Sequence, residues 1–156
     1  MIELNVHIGE VRVAKNGETL KAILGSCVGV GFLWRAQSMY GLAHCLLPEA
    51  PTRSFEINGR FVDQAIASLV AMMKIREAER EEIEAVLAGG GNMTSPTHSD
   101  TEKLVGTNNS RVAERELKRL GIRILHRDLG GDVGRKISID GRDGSFHIDR
   151  VPRLLK

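Results

Sequence analysis

The run Val28-Gly29-Val30-Gly31-Phe32-Leu33-Trp34 constrains this chain more than any other segment. It is apolar, β-branched and aromatic in character, and it is threaded with glycine. That combination fits a buried strand that other groups approach closely. The residues from Arg35 to Met39 are polar enough to turn the chain. Tyr40 to Leu47 then reads as the returning strand, stopped by Pro48. A turn centred on residues 36–39 makes the two an antiparallel hairpin.

The remaining elements fall around this pair. Val11 and Val13 flank Arg12 in a strand-like alternation, and Asn16-Gly17 is a strong turn signal before a short strand from Thr19 to Leu24. The clearest helix runs from Gly59 to Ile75, with Phe61, Val62, Ala65, Ile66, Leu69, Val70 and Met73 on one stripe. Glu77 to Glu84 is a charged connection, and Glu84 to Ala88 is a strand leading into Gly89-Gly90-Gly91. Asn92 to Thr101 has the composition of a loop. A second helix is expected from Asn108 or Asn109 to Leu120, closed by Gly121. A short strand at Ile122 to Leu125 precedes a Gly130-Gly131 turn, and Arg135 to Ile139 with Ser145 to Ile148 forms a closing hairpin. Strands precede, separate and follow just two helices, which predicts an α+β fold with a layered mixed or antiparallel sheet core.

At 156 residues the chain is expected to be a single domain spanning 1–156, with enough length for a real core. Lysine and arginine exceed aspartate and glutamate by 22 − 20 = 2, which argues against a nucleic-acid partner, as does an aromatic content of 4%. No apolar run reaches the length of a membrane span, and the first residues lack the pattern of a signal peptide. A cytoplasmic protein without direct membrane insertion is therefore expected. Two cysteines, Cys27 and Cys45, are too few for a disulfide framework and lack zinc-site spacing. No metal or other cofactor is expected.

The chemistry concentrates in Gly25-Ser26-Cys27-Val28 and in Gly41 to Glu49, which contains His44. A cysteine between a glycine turn and a strand is held by backbone geometry. Neighbouring N–H groups around Gly25 and Ser26 can stabilise an oxyanion there. In the hairpin, Cys27 and His44 fall within a few residue steps of opposition, although a one-residue slip of register separates them onto opposite faces. The residues alone leave two readings open: a thiolate–imidazolium pair, the thiol lowered by neighbouring backbone N–H groups, or a small buried hydrophobe beside a satisfied core histidine.

These segments resemble the signature of the CheD family, the chemoreceptor glutamine deamidases of bacterial and archaeal chemotaxis. The family pattern is G-S-C-V, then G-x-x-H-x-x-L-P followed by an acidic residue. Further similarity lies in Phe61-Val62-Asp63-Gln64-Ala65, Ala88-Gly89-Gly90-Gly91-Asn92-Met93, Gly106-Thr107-Asn108-Asn109 and Leu129-Gly130-Gly131. The resemblance implies hydrolysis of selected glutamine side chains of methyl-accepting chemoreceptors, with Cys27 as nucleophile and His44 as general acid and base. It also implies esterase activity on methylated glutamates through the same thioester, and a CheC-type phosphatase as a partner. A different class of reading is a catalytically weakened binding module that keeps those partner contacts.

One departure bears on mechanism. The family commonly has threonine where this chain has Lys21, and the nearest threonine is Thr19. Thr19 shares a strand face with position 21 and is one candidate for the third catalytic group. Lys21 acting on a thiolate, or a backbone carbonyl orienting His44, are the others. Gly90 and Asn92 are further candidates for the substrate cleft. Cys45, adjoining His44 on a strand, is expected to point to the opposite face and pack in the core. His98 and Asp100 lack a third ligand at metal-site spacing.

Overall fold

The computed structural model describes residues 2–15, 17–93 and 100–152. Two sheets are layered against each other. The first contains β1 (Glu3–Asn5), β3 (Thr19–Leu24), β8 (Gly134–Asp140) and β9 (Phe146–Val151), in the order β1-β3-β8-β9. The second contains β2 (Val11–Ala14), β4 (Val28–Trp34), β5 (Met39–Cys45), β6 (Glu84–Gly89) and β7 (Arg123–Leu129), in the order β2-β5-β4-β6-β7. Pairing is antiparallel except between β1 and β3 and between β6 and β7. Two α-helices, α1 (Val62–Met72) and α2 (Asp100–Leu120), pack on the second sheet. The expected α+β class with a layered, mixed sheet core and two main helices is the observed one. Among the described residues, no helix is long and apolar enough to cross a membrane.

β4 is buried along its whole length because both its faces are covered. Val28, Val30, Phe32 and Trp34 meet α1 and α2 in one core. On the other face Leu33, with Leu42 and Val86, meets Leu20, Leu24, Ile137 and Ile139 of the first sheet. The glycines of β4 have a steric purpose on this inter-sheet face. A Cβ at Gly29 would lie 2.9 Å from Leu24 Cδ1, and one at Gly31 would lie 2.8 Å from Ile139 Cδ1. Side chains of one sheet thus fill the notches left in the other.

Several expectations need correction. β1 was not anticipated, because three residues with alternating exposure carry little periodic signal. The strands on either side of the 16–17 turn do not pair with each other: β2 joins β5 and β3 joins β1 and β8. Asn16 itself lies outside the described residues. The helix expected from Gly59 begins at Val62, since residues 60 and 61 extend a sheet edge. The Arg60 carbonyl accepts from the N–H groups of Leu46 and Leu47, and Phe61 bridges to Leu47. α2 starts at Asp100 rather than at Asn108 or Asn109, so Asp100 and Thr101 are helical. Residues 94–99 of the expected loop, His98 included, lie outside the described residues. β7 runs on to Leu129, longer than the expected Ile122 to Leu125. As the outermost strand of its sheet it exposes Arg123, Leu125, His126 and Arg127, so no apolar alternation marks it.

Candidate active site

The Gly25-Ser26-Cys27 bend carries the chain from β3 in one sheet to β4 in the other. It is tied to the glycine turn after β6: Gly90 N–H donates to the Cys27 carbonyl at 2.9 Å, and Gly91 N–H donates to the Gly25 carbonyl at 3.0 Å. Gly89 makes this approach possible. Its φ is +102°, and a Cβ there would stand 2.2 Å from the Cys27 carbonyl oxygen, a position only glycine tolerates. Cys27 is therefore fixed by its main chain while its side chain lies in the inter-sheet core, 6% exposed.

His44 sits on β5, where the ladder pairs Val28 with Cys45 and Gly29 with His44. One step beyond the last pair, Cys27 faces Leu46, so His44 is its diagonal neighbour. Alternation puts His44 on the inter-sheet face with Tyr40 and Leu42, the side to which Cys27 also belongs. Diagonal neighbours are within reach of long side chains. Cys45 falls on the other face, in the helix-side core.

Residues 6–10 form a collar around His44. Its N–H donates to the Glu10 carbonyl at 3.0 Å and its carbonyl accepts from Gly9 N–H at 2.9 Å. Its ring Nδ1 donates to the Val6 carbonyl at 2.9 Å. Because a carbonyl can only accept, that bond puts the proton on Nδ1 and leaves Nε2 as the basic nitrogen. Val6 is itself anchored on β3, its N–H donating to the Lys21 carbonyl at 2.7 Å. The imidazole lines a cleft of about 610 Å³ together with Asn5, Val6, His7, Ile8, Lys21, Ala22 and Ile23. Val6 and Ala22 belong both to this lining and to the core that holds Cys27.

Burial sets the electrostatics of both groups. It pushes the Cys27 thiol above its ordinary value of 9.0, opposed by the residue's own backbone N–H. It lowers His44 below its ordinary value of 6.5, and the bond to Val6 partly offsets that shift. Both shifts favour the uncharged thiol and the uncharged imidazole. These directions run against the expected thiolate–imidazolium pair, because burial disfavours the charged form of each group.

The other expected residues are distributed as follows. Gly25 and Ser26 form the bend that precedes Cys27. Thr19 is buried on β3, but alternation puts it, with Lys21 and Ile23, on the face opposite Leu20, Ala22 and Leu24. It does not line the His44 cleft. Lys21 does, with its ammonium 2.9 Å from the Glu3 carboxylate. Gly90 and Asn92 line a separate hollow of about 330 Å³ with Thr107, Gly130, Gly131 and Asp132. Gly90 reaches the Cys27 bend through its backbone N–H. A backbone carbonyl on His44 was among the expected alternatives, and it is that of Val6; Asn109, whose side chain contacts the same bend, was not anticipated. Asn109 stands in a motif that pointed only to a helix start.

Comparison with known proteins identifies the family. Residues 46–150 match the family model described as CheD chemotactic sensory transduction. A protein of Ruegeria sp. (strain TM1040), named probable chemoreceptor glutamine deamidase CheD 2, is 42% identical over 97% of this chain and 94% of its own length. A Bdellovibrio bacteriovorus protein named probable chemoreceptor glutamine deamidase CheD is 39% identical, with 97% of both chains covered. A Methanococcus maripaludis relative of the same name is 34% identical over 97% of both chains. The match over residues 46–150 and these relatives show that the chain belongs to the CheD family.

Proposed function

We propose that this protein is a cysteine-dependent glutamine deamidase acting on chemoreceptors in chemotactic adaptation. The observation that supports the reading is the β4–β5 register, which makes His44 the same-face diagonal neighbour of Cys27 while Val6 fixes its tautomer. Family membership and the names of the relatives supply the substrate class.

The reaction follows from these groups. Nε2 of His44 takes the thiol proton as Cys27 Sγ bonds to the side-chain carbonyl carbon of glutamine. The oxyanion that develops is stabilised by main-chain N–H groups of the Ser26–Cys27 bend. The imidazolium protonates the amide nitrogen, the C–N bond breaks and ammonia leaves a γ-glutamyl thioester. Water then attacks that carbonyl, His44 takes its proton, and the C–S bond breaks to give glutamate and the restored thiol. The sum is glutamine plus water to glutamate plus ammonium, ammonia having taken up the proton that the new carboxyl group releases. The Val6 carbonyl has the orienting role for which Thr19 was the first candidate.

The test is ammonia release from cytoplasmic receptor fragments, with conversion located by a mass gain of about 1 Da per site. Cys27→Ala is expected to abolish conversion, and His44→Gln to slow it by about 10²- to 10⁴-fold. No Cys27-dependent conversion across several cognate receptors would overturn the enzyme reading and leave a receptor-binding module, with or without a CheC-type phosphatase as partner.

A further inference from the structure

We propose that Asn109 is a positioning residue that holds the Cys27 bend in register with the strand carrying His44, an inference that rests on the cysteine–histidine reading above. Asn109 lies on α2 and is fully buried. Its Nδ2 donates to two main-chain carbonyls from different segments, Leu46 at 3.1 Å and, by a longer and weaker bond, Ser26 at 3.4 Å. These two residues flank the pair to be aligned. Ser26 immediately precedes the nucleophile, and Leu46 lies two residues past His44.

The location gives those bonds their meaning. The β4–β5 ladder ends at Val28 and Cys45, so the next step outward, Cys27 against Leu46, has no ladder bond to set its spacing. One carboxamide –NH2 carries two donors in a fixed plane, and here they span the place where the ladder stops. An aspartate of the same shape has no donor to offer, and an alanine has no reach. The helix also presses on the bend from behind. Gly106, nearly one turn before Asn109, packs against Gly90, whose N–H holds the Cys27 carbonyl. Asn109 Oδ1, in contrast, is buried with no hydrogen-bond partner among the described residues. A side chain kept at that cost is kept for where its donors tie the chain.

The experiment compares Asn109→Asp and Asn109→Ala with Val112→Ala, a core truncation on the same helix. All are made in the full chain and assayed on a receptor fragment. Melting temperature, kcat, KM and the pH dependence of Cys27 alkylation by iodoacetamide, located by mass spectrometry, are measured for each. Both Asn109 variants are expected to lose kcat by about 10- to 100-fold with KM within about twofold, because misplacement of a nucleophile costs the chemical step. Their alkylation profiles are expected to depart from the wild-type curve, whereas Val112→Ala lowers the melting temperature and moves neither. Asn109→Asp matching Val112→Ala in kcat and alkylation would overturn the proposal. So would unfolding of both Asn109 variants while Val112→Ala folds, since that assigns Asn109 to general stability. A wild type with no Cys27-dependent conversion overturns the deamidase reading instead, and the alkylation profiles then decide on Asn109 alone.

Discussion

Cys27 and His44 are both driven by burial toward their uncharged forms, which distinguishes this pair from a preformed thiolate–imidazolium couple. An ion pair lowers the cysteine and raises the histidine, so its thiol alkylates readily in mild acid. Here the signs are reversed: the thiol titrates above 9.0 and the imidazole below 6.5. Iodoacetamide is therefore expected to react slowly with Cys27 across the neutral range and faster only above pH 9.0, while kcat/KM holds a plateau between the two titrations. On the acid side activity falls as His44 gains a proton and can no longer accept one from the thiol. An alkylation plateau in mild acid would show an ion pair and refute the neutral-pair mechanism. Cys45 offers no competing reactivity, because complete burial holds its thiol far above the ordinary value.

At the level of elements, α2 decides how the Cys27 bend is backed. A glycine-to-alanine change inside a helix ordinarily gains about 0.5–1 kcal/mol. At Gly106 the added Cβ would lie 2.6 Å from the Gly90 carbonyl oxygen, against backbone that cannot swing aside. Overpacking of this kind costs about 1–3 kcal/mol, so the contact outweighs the propensity gain. Gly106→Ala is expected to lower the melting temperature and slow deamidation together, as measured by calorimetry and ammonia release. A stabilised variant would show that α2 does not bear on the Gly90 turn. The same glycine shows where the sequence misleads. Gly106-Thr107-Asn108-Asn109 looks like the start of a helix, because glycine is unfavourable within one; a tertiary contact makes it necessary there. The β4–β5 hairpin was readable because its glycines, its polar turn and Pro48 act locally. The Val6 carbonyl and the twofold grip of Asn109 were not, because each joins residues separated by tens of positions and leaves no periodic trace. Thr19 does share a strand face with position 21, as its spacing implies, but only Lys21 of the two lines the His44 cleft.

Across the whole molecule, two sheets must hold a fixed spacing for the cleft to exist. Arg135 is a staple between them. It stands on β8, is 1% exposed, and donates through Nε to Asp128 of β7 at 3.0 Å. Its other nitrogens bond the carbonyls of Gly130, at 2.8 Å, and Val133. Arg135→Met keeps the apolar stem but strands these acceptors in a partly buried site, with Asp128 left, among the described residues, with Arg150 at 3.7 Å. The expected cost is about 3 kcal/mol, at the lower end for a broken buried pair. That is a fall in Tm of roughly 6–12 °C for a chain of this size. An unchanged denaturation midpoint would show that the sheets are held by their apolar layer alone. The Cys27 bend is also a seam between these sheets, since the chain crosses from one to the other there. Any loosening of the seam, by heat, pressure or a lost methyl group at Leu24 or Ile137, reaches the thiol before it reaches the helices. The cysteine is thus placed as a strain gauge for its own scaffold: on warming, alkylation of Cys27 is expected to rise before the helical signal is lost.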